Sequence, residues 1–114
     1  MKLRSMYPGY IHAVEKYFKK LLPILVPLQY SLGGPIIAFQ VENEYGSYGE
    51  HDLSKEYMAY LKTLMTNEGI SELLFTSDGI KQMEASYYPE LPGGEKEIIN
   101  CQMSLYLILK RVVN

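Results

Sequence analysis

Tryptophan is missing from this sequence, cysteine occurs once, histidine twice, and neither sign of charge dominates. Each shortage closes off a class of chemistry. A lone cysteine, Cys101, can form neither an internal disulfide nor a thiolate cluster, and it reads as a small buried apolar group. His12 and His51 stand far apart without ligand spacing of the HExxH kind, so no metal site is expected. With 11 Lys and Arg against 13 Asp and Glu, the formal charge is −2. That balance makes no electrostatic case for nucleic acid or for an anionic membrane. No stretch reaches the roughly 18 consecutive apolar residues of a membrane-spanning helix. Residues 103–113 are apolar but short, and Lys110 and Arg111 interrupt them. The first residues, Met1-Lys2-Leu3-Arg4-Ser5-Met6-Tyr7-Pro8, lack the apolar core of a secretory signal.

What the sequence does hold is ordinary globular material. Its 114 residues are 47% apolar and 21% charged, enough to fill a core. Tyrosine is abundant at 11 residues; its flat face and hydroxyl suit sugars, but composition alone favours half-buried packing. After Pro8-Gly9, the residues Ile11, Val14, Phe18, Leu21, Leu22 and Leu25 recur at helical spacing, with Glu15, Lys16, Lys19 and Lys20 on the other side. Pro23 and Pro27 predict a kink or an early end to that helix. The turn-forming Ser31-Leu32-Gly33-Gly34-Pro35 leads into Ile36-Ile37-Ala38-Phe39-Gln40-Val41, a short apolar run of the kind buried on both faces of a parallel sheet. Residues 42–49 read as the loop at that strand's C-terminal end. A second helix is expected from about Ser54, with Tyr57, Tyr60, Leu61, Leu64 and Met65 as its stripe and Asn67-Glu68-Gly69 as its stop. A second strand, Leu73-Leu74-Phe75-Thr76, ends at Ser77-Asp78-Gly79.

Helix, strand, helix, strand with short connections is the order of an α/β protein built from βα units. Two parallel strands need neighbours on both sides and helices over both faces, or a closed barrel. The chain is therefore expected to be a slice of a larger α/β domain.

Glu42, Asn43 and Glu44 fall where the buried strand gives way to its loop. Regular alternation to that point would place Glu42 and Glu44 on one face and Asn43 on the other. A carboxyl pair in a loop is more often a solvated surface feature than a site, and spacing alone favours that plain reading. It is also the equipment for glycoside hydrolysis, in which one carboxyl protonates the leaving oxygen and a second lies roughly 5 Å away when configuration is retained.

The longer string decides between them. Gly33-Gly34-Pro35-Ile36-Ile37-Ala38-Phe39-Gln40-Val41-Glu42-Asn43-Glu44-Tyr45-Gly46-Ser47-Tyr48 resembles the signature of glycoside hydrolase family 35, the β-galactosidases, and its animal members in particular. The resemblance continues in Met1-Lys2-Leu3-Arg4-Ser5, Tyr7-Pro8-Gly9-Tyr10, Ala13-Val14-Glu15-Lys16-Tyr17-Phe18, Pro27-Leu28-Gln29-Tyr30 and Leu73-Leu74-Phe75-Thr76-Ser77-Asp78. It implies a fragment of a (β/α)8 TIM barrel of about two βα units over residues 1–80, followed by a divergent C-terminal tail over residues 81–114. It implies retaining hydrolysis of terminal β-galactosyl groups from a small glycan or glycoconjugate, with no metal and no organic cofactor. Glu44 matches the general acid/base, and Asn43 matches a residue that hydrogen-bonds the galactose, at the 2-hydroxyl. Glu42 inherits no catalytic role and is left to support the site through its charge or a backbone bond. Gly33, Gly34 and Pro35 read as turn-makers, and Tyr45 and Tyr48 either border the sugar or pack against the next helix. The compartment implied for the family is lysosomal or secreted.

A family member should also carry a nucleophile glutamate after a later strand, in a Ser-Glu-Tyr or Ser-Glu-Phe context. Neither occurs in this sequence, and Glu84, Glu90, Glu95 and Glu97 follow no strand-like run. The 114 residues by themselves are thus expected to be inactive. Two other readings stand beside this one. Another retaining glycosidase on a similar barrel would share the Asn-Glu pair, though not the longer string. A degenerate, non-catalytic product would bind galactose weakly or not at all. Residues from 94 onward resemble no family segment, and a tail packed as a helix is one account of them.

Overall fold

The computed structural model describes residues 2–48, 55–77 and 99–100. Two helices and three strands alternate in it. Helix α1, Pro8–Leu25, starts on a proline whose missing N–H would have been unsatisfied in a first turn anyway. The Tyr7 carbonyl closes that turn by accepting from the Tyr10 and Ile11 N–H groups at 2.9 and 3.0 Å. Pro23 lies within the helix rather than ending it, at the cost of the bond that an N–H there would have made to the Lys19 carbonyl. The break comes at Val26, where a 3-10 turn, Val26–Leu28, takes over with Pro27 inside it. A second 3-10 turn, Tyr30–Leu32, closes on Gly33 in the left-handed region at φ 88°. Gly34 is required by space: a Cβ there would sit 2.1 Å from the Leu28 carbonyl oxygen.

Strand β1 is Ala38–Asn43, helix α2 is Lys55–Asn67, β2 is Leu73–Ser77 and β3 is Ile99–Asn100. The strands form one parallel sheet in the order β1-β2-β3. The α/β class expected from the sequence is borne out, with the first strand shifted. It begins at Ala38, after an isolated parallel bridge between Gln29 and Ile36, and it runs through Glu42 and Asn43, which composition alone assigns to the loop. Residues 99–100 add a strand where a helical tail was one expectation. Ser54, His51, Cys101 and the four downstream glutamates lie outside the described residues.

The core gathers Leu22 from α1, Val41 and Leu74 from the strands, Tyr57, Met58, Leu61 and Met65 from α2, and Tyr45 and Ile70 from connections. Tyr60 and Leu64, expected in the α2 stripe, are only half-buried, whereas Met58 and Lys62 are buried, so the inward face is turned slightly from the predicted one. The Lys62 ammonium has no hydrogen-bond partner among the described residues.

Gln29 ties the layers together and is 0% exposed. Its Nε2 donates to the carbonyls of Val26 at 3.2 Å and Gly69 at 3.0 Å. Its Oε1 accepts from the backbone N–H groups of Ser71 at 2.7 Å and Glu72 at 3.1 Å. One side chain thereby joins the end of α1 to the turn that launches β2.

Candidate active site

Strands β1 and β2 do not stay in step. Ala38, Phe39 and Gln40 face Leu73, Leu74 and Phe75 in turn, but Asn43 next faces Ser77, so β1 spends three steps where β2 spends two. A bulge of this kind bends the strand and re-aims the side chains beyond it. It overturns the expectation that Glu42 and Glu44 share a face. Glu42 turns into a half-buried ion pair, and Glu44 leaves the strand altogether.

Glu44 adopts φ 49° and ψ 36°, the left-handed region, which costs a residue with a Cβ roughly 1–2 kcal/mol. Its N–H still donates to the Ser77 carbonyl at 2.7 Å, and its own carbonyl accepts from Ser47 at 3.0 Å to start a 3-10 turn, Tyr45–Ser47. The side chain is exposed, and its carboxyl has no hydrogen-bond partner among the described residues. The group is thus presented at the C-terminal end of a parallel strand on a backbone that is fixed.

Beneath it lies a polar network. Arg4 grips Glu42 with a fork, Nε to Oε1 at 3.1 Å and Nη2 to Oε2 at 2.8 Å. The same Nη2 donates to the Asn43 carbonyl at 2.8 Å. The Tyr57 hydroxyl donates to Glu42 Oε1 at 3.0 Å, and the Asn43 N–H donates to Oε2 at 3.0 Å. Tyr10 extends the chain through its hydroxyl, 3.2 Å from that of Tyr57. Forked, charge-assisted bonds of this type are stronger and more directional than neutral ones. The bond to Glu42 raises the already high pKa of Arg4 further, so its charge is permanent. Burial, then the Tyr10 hydroxyl and the Glu42 charge, push the Tyr57 phenol well above its ordinary value, so it stays protonated and donates.

The guanidinium lies over two rings, 4.3 Å from the centre of Tyr48 and 5.3 Å from that of Tyr45. Tyr45 is buried, and its hydroxyl donates to the Arg4 carbonyl at 3.1 Å, so packing is its role. Asn43 is exposed beside Glu44. Gln40 Nε2 donates to the Asn43 Oδ1 and to the Glu42 carbonyl, both at 3.0 Å, which orients the Asn43 amide and leaves its NH2 donors for a ligand. Among the described residues, no group of three or more His, Cys, Asp or Glu is placed to hold a metal ion. No described helix is long and apolar enough to cross a membrane.

The structure thus brings both predicted residues, Asn43 and Glu44, to one strand end. Sequence reasoning misses Arg4, Tyr57, Tyr10 and Gln40. Arg4 does stand within a family-like stretch, but its partner is 38 residues away, a separation no local pattern reveals.

An exposed carboxyl thus stands beside an oriented amide at the end of a parallel strand, and residues 1–104 match the model of Glycosyl hydrolases family 35. The chain belongs to that family. It is 54% identical over 78 residues to Beta-galactosidase-1-like protein 2 of Homo sapiens, covering 68% of this chain and 12% of that protein. Against Beta-galactosidase-1-like protein 3 of Rattus norvegicus the identity is 54% over 76 residues, covering 67% and 12%. Against Beta-galactosidase of Canis lupus familiaris it is 48% over 81 residues, covering 70% and 12%. The chain therefore spans about 12% of the length of these relatives.

Proposed function

We propose that Glu44 is the general acid/base of a retaining β-galactosidase, in which these residues form part of a (β/α)8 barrel and residues 81–114 a divergent extension. The observation that carries this is Glu44 itself, an exposed carboxyl held on a left-handed backbone at the C-terminal end of β1. Strand ends of that polarity bear the catalytic groups of such barrels. In the first half of the reaction the Glu44 carboxyl gives its proton to the departing aglycone oxygen as the glycosidic bond breaks. In the second half the carboxylate takes a proton from the water that attacks the glycosyl-enzyme. Asn43 donates from its free NH2 to the galactose 2-hydroxyl, where contacts tighten in the transition state. The substrate is a terminal β-galactosyl group on a small glycan or glycoconjugate, and the setting of the whole protein is lysosomal or secreted.

The nucleophile has to come from elsewhere than Glu42. That carboxylate accepts from Arg4, Tyr57 and the Asn43 N–H, which holds both of its oxygens and leaves it no freedom to reach an anomeric carbon. The 114 residues on their own supply an acid/base without its partner and do not turn over. This is also what favours the second reading, a non-catalytic product with weak galactose affinity. An aryl β-galactoside assay separates the outcomes. The chain should release no more phenol than its Glu44→Gln variant, and turnover well above that control would overturn the inactivity. Galactose titrated into isotope-labelled protein should perturb the Asn43 side-chain amide; no perturbation at any attainable concentration would remove Asn43 from the site.

A further inference from the structure

We infer that Arg4 is the positioning residue for Glu44, holding the peptide unit that carries it in the orientation from which the carboxyl is presented. The inference rests on the acid/base reading above for its consequence, though not for its geometry. Among the described residues, two that are not glycine have positive φ, Arg4 and Glu44, each at 49°. They are 40 positions apart by their numbers and are tied to each other in both directions. The Arg4 side chain bonds the Asn43 carbonyl, immediately before Glu44, and the side chain of Tyr45, immediately after Glu44, bonds the Arg4 carbonyl.

Rotating Glu44 about φ, out of the left-handed region, swings the peptide plane between residues 43 and 44. That plane is held at both ends, its carbonyl oxygen by Arg4 Nη2 at 2.8 Å and its N–H by the Ser77 carbonyl at 2.7 Å. Ser77 belongs to the strand ladder and would serve any strand end. Arg4 is the particular half of the clamp. Its aim is set by the fork onto Glu42 and by the Tyr48 ring 4.3 Å away. A lysine would keep the charge but cannot bond both carboxylate oxygens and the carbonyl from one planar group. Glu42 is in turn the anchor of the clamp, which gives a role to the carboxylate that catalysis leaves unused.

The test reads Glu44 in the 114-residue chain by its Cα and Cβ NMR shifts, which report φ and ψ. Arg4→Lys and Glu42→Gln should both move those resonances away from left-handed values while the β-sheet signals persist. Glu15→Gln, which weakens the contact between α1 and Tyr60 of α2 by making its acceptor neutral, serves as a control for general destabilisation and should leave them in place. Unmoved Glu44 shifts in Arg4→Lys would overturn the inference. Should Arg4→Lys lose its dispersed spectrum, Glu42→Gln decides: retained dispersion with unmoved Glu44 shifts overturns it as well. Equal movement in Glu15→Gln would do the same. The acid/base reading fails by hydrolysis alone, if the chain hydrolyses an aryl β-galactoside above background and Glu44→Gln hydrolyses it as fast, and the backbone result is independent of that.

Discussion

Two polar side chains, one buried and one half-buried, organise this chain, and they differ in what they hold. Gln29 spends its bonds almost wholly on backbone: two carbonyls take its NH2, and two N–H groups fill its oxygen, with the Ser71 hydroxyl a longer fifth at 3.4 Å. Nothing of it faces solvent, and the elements it joins are the frame. Glu42 spends its bonds mostly on side chains, Arg4 and Tyr57, and the network it starts runs out to an exposed carboxyl two residues along. An amide has no charge to compensate, so it can be closed off completely. A buried carboxylate needs a cation, and the cation then has spare donors that reach further. The difference separates a latch from a lever: one polar group closes the frame, the other transmits position to the surface.

That contrast predicts unequal damage. Replacing the latch should hurt most. Gln29→Leu removes four bonds to backbone at the junction of α1 and β2, leaving the Val26 carbonyl only the residue 29 N–H, and about 3–5 kcal/mol of stability should be lost, read as a collapsed denaturant midpoint. A loss near 1 kcal/mol would mean that water reaches the site and that the latch is no frame. Tyr57→Phe removes one donor from Glu42 but leaves the Arg4 fork, so about 1–2 kcal/mol should go, with the ring packing against Tyr45 and Tyr10 kept. If that variant melted with the wild type, Tyr57 would be packing alone.

Alkali should give the smallest effect. The folded pKa of Tyr60 is pushed up to about 12 by loss of hydration and its bond to Glu15, and that of Tyr57 is raised too. The folded state thus keeps protons that the unfolded chain releases near pH 10. Stability should be full below about pH 10 and fall between about pH 10 and 12. Melting curves across that window test it, and Tyr60→Phe with Tyr57→Phe should flatten the decline.

Much of the frame is legible in the sequence because periodicity reports burial. The 36–41 run and the residue 57–65 stripe locate β1 and α2 to within a few positions. The errors have physical sources. Glu42 and Asn43 look like loop, yet pairing with β2 and a cation from the N-terminal stretch make them strand. Alternation assigns Glu42 and Glu44 one face, but a bulge and a left-handed residue leave no trace in composition. Asn43 and Glu44 are readable only through the family-like string around them. Gln29 stands within a similar stretch, but nothing about a lone glutamine announces that it is fully buried.

The ladder bond from Glu44 to Ser77 also has a consequence for the order of events during synthesis. Residues 1–44 leave the ribosome with the acid, the arginine and the glutamate all present, yet the turn that presents the acid lacks one of its two clamps. At about 5–20 residues per second, the missing carbonyl arrives roughly two to seven seconds later. Until then the 43–44 peptide plane is held from one side only, so the shape of the β1 strand end is completed by β2, a strand made after it.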